Sequence, residues 1–254
     1  YEKAIISFLD GCDGTLYIVD NSPIPLSNDI FEHERVIYTH SNLNLGFGRA
    51  HNLALTKFAF NSDFHILLNP DISFCLTTIP KLVHCMASNP DFGLIMPKIC
   101  YPNGELQNLC KLLPTPLNLI FRRFLPDSIA KKFDYQYELK KFDHTTLFDS
   151  PSLSGCFLFI RTKFLKTVGG FDERFFMYME DVDLVRRIGD LSRTIYDPDP
   201  VVYHGYAKGS YKNRKLLVMH IVSACRYFNK WGWFNDKKRS ERNLLALKSL
   251  GYKQ

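Results

Sequence analysis

The sequence lacks several features that would place it in a special class of protein. No apolar run approaches the roughly 18 residues that span a bilayer, and no internal repeat or low-complexity segment is present. The seven cysteines are an odd number without a Cys-x-x-Cys pair, which disfavours a disulfide framework and a zinc knuckle. We therefore expect reduced thiols and a cytoplasmic, globular protein.

The charge that is present is unevenly distributed. From Ala207 to Gln254 there are 12 Lys and Arg against 2 Asp and Glu, a net charge of +10. The first 206 residues carry 20 basic and 24 acidic side chains, a net charge of −4. We therefore divide the chain into a main domain over 1–206 and a basic extension over 207–254, which is suited to an anionic lipid surface or to nucleic acid.

Helical and strand patterns alternate along the main domain. Strands alternating with helices indicate βαβ units and a mostly parallel sheet. Residues 110–150 interrupt this rhythm, and the Pro-Asn-Gly at 102–104 predicts a hairpin turn. The predicted helices lie at 1–9, 46–60, 77–86, 163–168 and 180–191, and the predicted strands at 15–20, 36–40, 65–68, 92–99 and 153–160, with one more that ends at His204.

The stretch ILLNPDISF begins as a buried strand and then runs into Asn69, Pro70 and Asp71. These three residue types favour turns, which is the plainer interpretation. The other interpretation is a cation at the carboxyl end of a strand, where open α/β sheets place their ligands. Asp20 and His204 also end predicted strands, and strand ends converge when the strands are parallel neighbours.

The stretch GGFDERFFMYMEDVDLVRRI predicts a helix from Glu180 with Asp181 in its first turn. The helix dipole favours an ionised carboxylate at that end. For Asp183 we expect a structural ion pair with Arg186 or Arg187. For Asp181 we expect a general base, since the apolar run just before it would raise a carboxyl pKa toward the useful range.

The stretch NLGFGRAHN weakly resembles a dinucleotide-binding turn through Gly46 and Gly48, but His51 stands where the third glycine would be. The plainer interpretation is a glycine turn that caps a helix. A helix N-terminus carrying Arg49 and Asn52 remains suited to a nucleotide.

Four segments in this order, NLGFGRAHN, LLNPD, SGCFLFIR and GGFDERFFMYMEDVDLVRR, resemble the family-2 inverting glycosyltransferases of the GT-A fold. The similarity covers nearly the whole chain. The tail HGYAKGSY…HIVSACRYFNKWGWFNDKKR looks like that of bacterial rhamnosyltransferases of O-antigen or capsule assembly. The resemblance implies an α/β GT-A fold, with helices flanking the central sheet and a C-terminal helical extension. It also implies that the family's first strand is missing ahead of the first helix, and that 110–150 is an acceptor-side insertion.

The resemblance also implies a nucleotide-diphospho-sugar donor and a divalent cation, Mg²⁺ or Mn²⁺. Asp71 would ligate the cation as the second acid of the usual Asp-x-Asp signature, with Asn69 in place of the first, and His204 would complete the site. Asp181 would be the catalytic base, and Asp20 would contact the nucleoside. The further donor-side candidates are Asn44, Gly46, Arg49, Asn52 and Asn69, and the acceptor-side candidates are Gly155, Tyr178 and Glu180.

We therefore expect a hexosyltransferase that acts on a glycan or lipid-linked acceptor, with dTDP-L-rhamnose as the first choice of donor and UDP-hexose or UDP-N-acetylhexosamine as alternatives. An inactive nucleotide-sugar-binding module is the rival from another class. We expect no nucleic-acid partner, because the tail carries no known reading motif and the acidic candidates would repel phosphates. The aromatic and basic cluster from Trp231 to Arg239 predicts peripheral contact with an anionic membrane, at its inner face.

Overall fold

A computed structural model describes residues 1–58, 62–119, 135–205 and 214–251. Parts of the predicted interruption and the start of the basic extension lie outside these residues. The helices are α1 (Glu2–Gly11), α2 (Phe47–Phe58), α3 (Thr78–Ser88), α4 (Thr162–Val168), α5 (Glu180–Gly189), α6 (Arg214–Trp231) and α7 (Lys237–Ser249). The strands are β1 (Leu16–Asp20), β2 (Val36–His40), β3 (Phe64–Leu68), β4 (Ile72–Phe74), β5 (Phe92–Cys100), β6 (Cys110–Lys111), β7 (Phe148–Asp149), β8 (Ser152–Leu153), β9 (Phe157–Arg161) and β10 (Arg193–His204).

The central sheet has six strands in the order β3-β9-β5-β10-β4, with β7 paired to β10. The expectation of a mostly parallel sheet was wrong, since the sheet is mixed: β5 and β10 are parallel, whereas β9 is antiparallel to both of its neighbours and β4 to β10. A parallel pair needs a crossover of a dozen or more residues, usually a helix. β9 instead follows the irregular stretch after β8, and β4 follows β3 through a short turn, so neither is constrained to the parallel direction.

β1 and β2 form a separate parallel pair, in register from Leu16 opposite Val36 to Asp20 opposite His40. Among the described residues, β1 has no partner strand other than β2, and β3 none other than β9. β6 and β8 form a further antiparallel pair, so the described residues contain three sheets where the alternating sequence pattern predicted one.

The main core lies around β5 and β9. Residues 157–160 of β9 are four consecutive buried side chains, as expected for a strand covered on both faces. The strand predicted over 153–160 is divided: β8 ends at Leu153 and pairs with β6 in a separate sheet, and after the break at 154–156 β9 begins at Phe157 in the central sheet. That break places Gly155 beside α5.

The predicted C-terminal helical extension is present as α6 and α7, and it is built into the body of the protein. In α6, the side chains of Tyr227 and Phe228 are buried against Phe175 and Met179. In α7, Ala246 packs in the main core. Between α5 and the start of α7, Arg186 makes two hydrogen bonds with Asp236, at 2.7 and 2.8 Å. The extension therefore supports the helix that carries Asp181.

Candidate active site

The turn after β3 brings together two of the predicted metal ligands. β4 pairs antiparallel with β10, which places His204 opposite Ile72, the residue after Asp71. Nε2 of His204 lies 3.3 Å from Oδ1 of Asp71, and the Gly205 N–H donates to the Asp71 carbonyl at 2.9 Å. The His204 side chain is buried, whereas that of Asp71 is 44% exposed. The pair therefore presents a carboxylate to solvent with an imidazole behind it.

Gln107 fixes the orientation of the His204 ring. The Gln107 amide donates through Nε2 to the His204 carbonyl at 2.8 Å, so its Oε1 faces Nδ1 of the ring at 3.0 Å. An amide oxygen only accepts, so Nδ1 carries the proton. In the neutral ring Nε2 then has a lone pair directed at the Asp71 carboxylate. Nε2 of His204 and the carboxylate oxygen of Asp71 are then both hydrogen-bond acceptors. Their close approach is favourable only when a proton or a cation lies between them.

The Asp71–His204 pair is suited to a divalent cation that a bound ligand also coordinates. Two ligands about 2.1 Å from one ion lie about 3 Å apart when they are at right angles, close to the observed 3.3 Å. Oδ1 of Asn69, two residues from Asp71, is buried and has no hydrogen-bond partner among the residues that the structure describes. The adjacent His204 ring lowers the pKa of Asp71, so this carboxylate is ionised at neutral pH.

Among the described residues there is no cluster of three or more His, Cys, Asp or Glu side chains that could hold a metal by themselves. Mg²⁺ is commonly bound by one or two carboxylates together with substrate phosphates. The set of Asp71, His204 and the unpartnered Asn69 oxygen is of this incomplete kind. It would need oxygen atoms from a diphosphate to complete the coordination.

Asp181 lies at the start of α5, where the chain makes a sharp turn. Tyr178 and Met179 both have positive φ, 69° and 65°, a costly conformation for residues with side chains. The turn directs the Asp181 carboxylate toward the break between β8 and β9, where Oδ2 accepts from Gly155 N–H at 3.0 Å. Oδ1 accepts from Val182 N–H at 2.8 Å, and the side chain is half-buried. Each oxygen keeps a lone pair for a proton.

Glu180, directly before Asp181, is a buried carboxyl group with a raised pKa. Burial, and then the charge of Asp181, raise the pKa of Glu180 to about 8. Its Oε2 is buried without a hydrogen-bond partner. Glu180 is therefore mostly protonated at neutral pH and carries an unused polar atom beside Asp181.

The break at Gly155 and Cys156 connects these two groups of residues. Asn69 N–H donates to the Cys156 carbonyl at 2.9 Å, while Gly155 N–H donates to Asp181. A Cβ on Gly155 would lie 3.0 Å from Cβ of Asp181, so glycine permits the close approach. The Asp71–His204 pair and Asp181 thus flank one short segment of backbone.

The 44–48 loop packs against the same region. Gly46 has a φ of +80°, and a Cβ there would lie 2.2 Å from the Phe176 carbonyl, which leaves no room for any other residue. Phe47 N–H donates to that carbonyl at 3.0 Å, and Asn44 Oδ1 accepts from Gly46 N–H at 2.9 Å. Within the part of the chain that the structure describes, Arg49 makes an exposed ion pair with Glu173 at 3.5 Å. Arg49 therefore remains available to a phosphate.

Two predicted donor-binding residues make mainly internal contacts. Asn52 is buried; its Oδ1 accepts from Phe171 N–H at 2.8 Å, and its Nδ2 donates to the Phe171 carbonyl and to Glu173. Asp20 accepts four hydrogen bonds, from Ser22 N–H and Oγ–H, Leu26 N–H and Tyr38 O–H. Burial alone would raise the Asp20 pKa, but these bonds lower it well below its ordinary value. Both side chains shape the surrounding loops, and direct donor contact stays a prediction.

Two residues of the site, Gln107 and Asn21, were not predicted, and neither was the conformation of Tyr178. Gln107 follows the Pro-Asn-Gly turn, and no sequence signal connected it to His204. Asn21 bonds to the Gly46 carbonyl and to Ser41, which connects β1 to the 44–48 loop. Its position directly after Asp20 is the sequence feature that could have identified it as a site residue. Tyr178 was predicted on the acceptor side, but its positive φ and its contact with His220, at 5.1 Å between ring centroids, were not.

The fold and the site define a class of protein, and comparisons with known proteins agree with it. GalNAc-T7, solved with UDP, GalNAc and Mn²⁺, superposes with a TM-score of 0.57 at 14% identity, over 87% of this chain and 42% of its own. The mannosyltransferase PcManGT of Pyrobaculum calidifontis, solved with GDP-Man and Mn²⁺, superposes with a TM-score of 0.54 at 15% identity, over 98% of this chain and 70% of its own. The predicted GT-A fold is confirmed.

The sequence itself is similar to a more specific relative. It is 29% identical over 224 residues to an N-acetylglucosaminyl-diphospho-decaprenol L-rhamnosyltransferase of Mycobacterium tuberculosis, covering 81% of this chain and 72% of the relative. No protein-family model matches the chain. The predicted resemblance to family-2, rhamnosyltransferase-like enzymes is confirmed, and with it the enzyme class, a glycosyltransferase.

Proposed function

We propose that the chain transfers a sugar from a nucleotide-diphospho-sugar to a hydroxyl of a glycan or lipid-linked acceptor, with inversion at the anomeric carbon. The observation that carries this proposal is the placement of Asp181 and of the Asp71–His204 pair on either side of Gly155 and Cys156. One carboxylate is positioned to accept a proton, and a separate group is suited to a diphosphate.

In this reaction the acceptor hydroxyl gives its proton to the Asp181 carboxylate as its oxygen attacks the anomeric carbon. The bond from that carbon to the diphosphate breaks, and its electron pair stays on the diphosphate oxygen. The N–H groups of Gly155 and Val182 hold the carboxylate in place. A bound Mg²⁺ or Mn²⁺ would neutralise the negative charge of the departing diphosphate. Asp71 and His204 would hold that cation, with the Asn69 oxygen beside them.

The proposed donor is dTDP-L-rhamnose, and the proposed acceptor is a lipid-linked diphosphate sugar. The M. tuberculosis relative, an N-acetylglucosaminyl-diphospho-decaprenol L-rhamnosyltransferase, supports the sugar and the acceptor, and the dTDP carrier rests on the sequence resemblance. The UDP and GDP-Man in the two superposed structures support nucleotide-diphospho-sugars as a class and keep UDP-hexose and UDP-N-acetylhexosamine as alternatives. Both structures also hold Mn²⁺, which supports the divalent cation.

The proposed location is the cytoplasm, peripherally at the inner face of the membrane, since a lipid-linked acceptor lies at that surface. Within the described ranges, no helix has the length and apolar character to cross a bilayer. The surface proposed for this contact is the corner between α6 and α7, where Trp233 and Phe234 are 40% and 75% exposed.

A thermal-shift panel tests the donor class directly. A ligand that binds the folded state raises Tm by mass action, so dTDP, UDP and GDP are each compared with and without Mn²⁺. We expect a shift that needs both the nucleotide and Mn²⁺. Turnover of dTDP-L-rhamnose, with the anomeric configuration of the product read by NMR, then separates the enzyme from the inactive module. A nucleotide shift without turnover of any donor would favour the module.

A further inference from the structure

One side of α6 follows the chain segment that lies just before α5. Near the C-terminal end of α6, Lys230 donates to Asp172 at 2.8 Å, and Arg226 donates to the Arg174 carbonyl. Residues three or four apart lie on the same side of a helix. The next contacts with this segment are therefore expected one turn further toward the N-terminal end of α6.

The contacts do continue along the next two turns of α6. Ser223 Oγ–H donates to the Met177 carbonyl at 2.8 Å. The His220 ring meets the Tyr178 ring edge to face, with 5.1 Å between the ring centroids and 64° between the ring planes. As the residue number falls along α6, it rises along the segment. The helix is therefore antiparallel to residues 172–178, and its contacts extend to Tyr178.

The turn at 177–179 needs this support. Tyr178 and Met179 have positive φ, 69° and 65°, a conformation that residues with a Cβ seldom adopt and that persists where neighbouring groups fix it. Ser223 is 2% exposed, so its hydrogen bond to the Met177 carbonyl is shielded from water. α6 therefore helps to fix the backbone that leads into the proposed base.

Tyr178 and His220 lie at the exposed edge of the cluster that packs α6 against this turn. Both side chains are partly exposed. The residues that supply the packing are at most 5% exposed: Phe175, Met179, Tyr227 and Phe228. Because those four fill the interior of the cluster, the aromatic pair keeps a surface that a ligand can reach.

The chemistry of Tyr178 fits a sugar. It is three residues before Asp181, so the two Cα atoms are at most about 11 Å apart. A sugar whose hydroxyl meets the Asp181 carboxylate therefore lies beside Tyr178. A tyrosine ring offers an apolar face to the C–H groups of a sugar, and its hydroxyl can bond to sugar hydroxyls.

We propose that α6 forms the acceptor side of the active site: His220 holds the Tyr178 ring as a platform for the acceptor sugar, and Ser223 holds the backbone turn behind it. His220 is a positioning residue, since it acts through Tyr178. The naming of the sugar as the acceptor rests on the proposed function, whereas the support of the turn does not. The C-terminal extension then contributes to the choice of acceptor.

Amide hydrogen exchange of the free protein tests the support of the turn. Ser223→Ala removes the donor to the Met177 carbonyl, and we expect exchange in 177–183 to quicken by about tenfold. Val218→Ala is the matched control, because Val218 lies on the exposed side of the same helix, at 59% exposure; its exchange should equal that of the wild type. Unchanged exchange in Ser223→Ala would overturn this part.

Calorimetry tests the platform with farnesyl-diphospho-N-acetylglucosamine, a shorter form of the acceptor in the name of the M. tuberculosis relative. We expect His220→Ala to bind this probe about tenfold more weakly, because the ring contact that orients Tyr178 is lost. His220→Phe keeps a ring and should bind within about twofold of the wild type. Val218→Ala should bind as the wild type does, and the affinity for dTDP with Mn²⁺ should be the same in all four proteins.

Equal affinity for the probe in His220→Ala and Val218→Ala, or no binding to the wild type, would overturn the platform. His220→Phe binding as weakly as His220→Ala would exclude the ring contact as the cause. An equal loss of dTDP affinity in His220→Ala would show a general structural role instead. Binding is measured without turnover, so failure of the proposed function has a different signature: no transfer by a protein that still binds the probe.

Discussion

At the scale of single residues, the site separates two carboxyl groups that are adjacent in the chain. Asp181 is held by two backbone N–H groups and is half-buried, so it can meet an acceptor hydroxyl. Glu180 is buried and its pKa is raised, so it stays mostly neutral. A neutral Glu180 adds no second negative charge beside the base, and inverting transfer needs only one base.

Asp181→Asn should abolish transfer while donor binding survives. The amide has the same shape but cannot take a proton, so we expect a loss of roughly 10²–10⁴-fold in kcat. Asp190→Asn is the control, since Asp190 lies just beyond the same helix in an exposed ion pair with Lys238. Kinetics and nucleotide calorimetry are measured on both variants. Turnover near the wild-type rate in Asp181→Asn would remove this residue from the base role.

Gln107 provides a sharper test of the cation site than its ligands do. Gln107→Leu leaves Asp71 and His204 in place but removes the acceptor that keeps the proton on Nδ1. Loss of such a supporting contact typically weakens metal affinity by about 10- to 100-fold. We expect that loss in Mn²⁺-dependent nucleotide binding by calorimetry, and a complete loss in Asp71→Ala. Gln136→Leu, at an exposed position, is the control. If Gln107→Leu binds the nucleotide with Mn²⁺ as tightly as Gln136→Leu does, the turn interpretation of Asn69–Asp71 is correct.

At the scale of elements, α5 is anchored from the C-terminal side. The Arg186 guanidinium is 1% exposed, bonds twice to Asp236 and lies 4.0 Å from the centre of the Trp231 ring. Asp183, fully buried, bonds to Arg187, Lys230 and Trp231, so the ion pair expected with Arg187 is confirmed. The residues that follow Asp181 are thus fixed by α6 and by the start of α7.

Breaking this anchor should be costly. Asp236→Asn keeps an acceptor for the start of α7 but leaves the Arg186 charge buried without its partner. Removing one member of a buried ion pair costs about 3–5 kcal/mol, and we expect that loss in urea unfolding. Arg186→Met with Asp236→Leu should recover most of it, because no buried charge remains. Asp190→Asn should stay within about 1 kcal/mol of wild type. Equal losses in Asp236→Asn and Asp190→Asn would show that the pair is not an anchor.

His51 of α2 and His65 of β3 make stability depend on pH. Burial lowers the pKa of His51 from 6.5 to about 3, with a smaller effect from His65, and lowers that of His65 to about 4. Both stay neutral in the folded protein, while the unfolded chain takes up protons below pH 6.5. The free energy of unfolding should therefore be highest above pH 6.5 and fall as the pH drops toward 4.

Urea unfolding at about pH 7.5 and about pH 5 measures this dependence. His51→Phe, which keeps the ring contacts with Phe47 and Phe171, should flatten it. His84→Gln, at the surface, should leave the pH dependence of the free energy of unfolding unchanged. If His51→Phe loses as much free energy of unfolding between the two pH values as the wild type does, His51 is already protonated, or freely solvated, in the folded state.

At the scale of the whole molecule, the sequence predicted the elements better than their arrangement. Strand ends with polar residues led to Asp71 and His204, which do meet, but they meet through the antiparallel pairing of β4 with β10 and not as the ends of parallel neighbours. The partner strands of β9 and β4 could not be predicted, since they depend on connections without a regular period. Gln107 was missed for the same reason: it is 97 residues from His204 along the chain, and only tertiary contact brings them together.

The corner between α6 and α7 changes the membrane prediction. Arg239, expected to face lipid, is 4% exposed and donates to the carbonyls of Gly232, Trp233 and Phe234, so it shapes the corner from inside. Trp231 also points inward, toward Asp183. The residues left for an anionic surface are Trp233, Phe234, Lys237 and Lys238, the last of which also pairs with Asp190.

We therefore predict salt-sensitive binding to vesicles that contain anionic lipid, and its loss in Phe234→Ser with Lys237→Gln. An aromatic side chain supplies apolar area at the interface, and a lysine near an anionic surface adds about 1 kcal/mol, which salt screens. Ile24→Ser is the matched control, because Ile24 is 77% exposed and Phe234 75%. Co-sedimentation is measured at low and high salt for all three proteins. Binding that is the same in every protein and at both salt concentrations would show that the corner only braces α5 and does not contact the membrane.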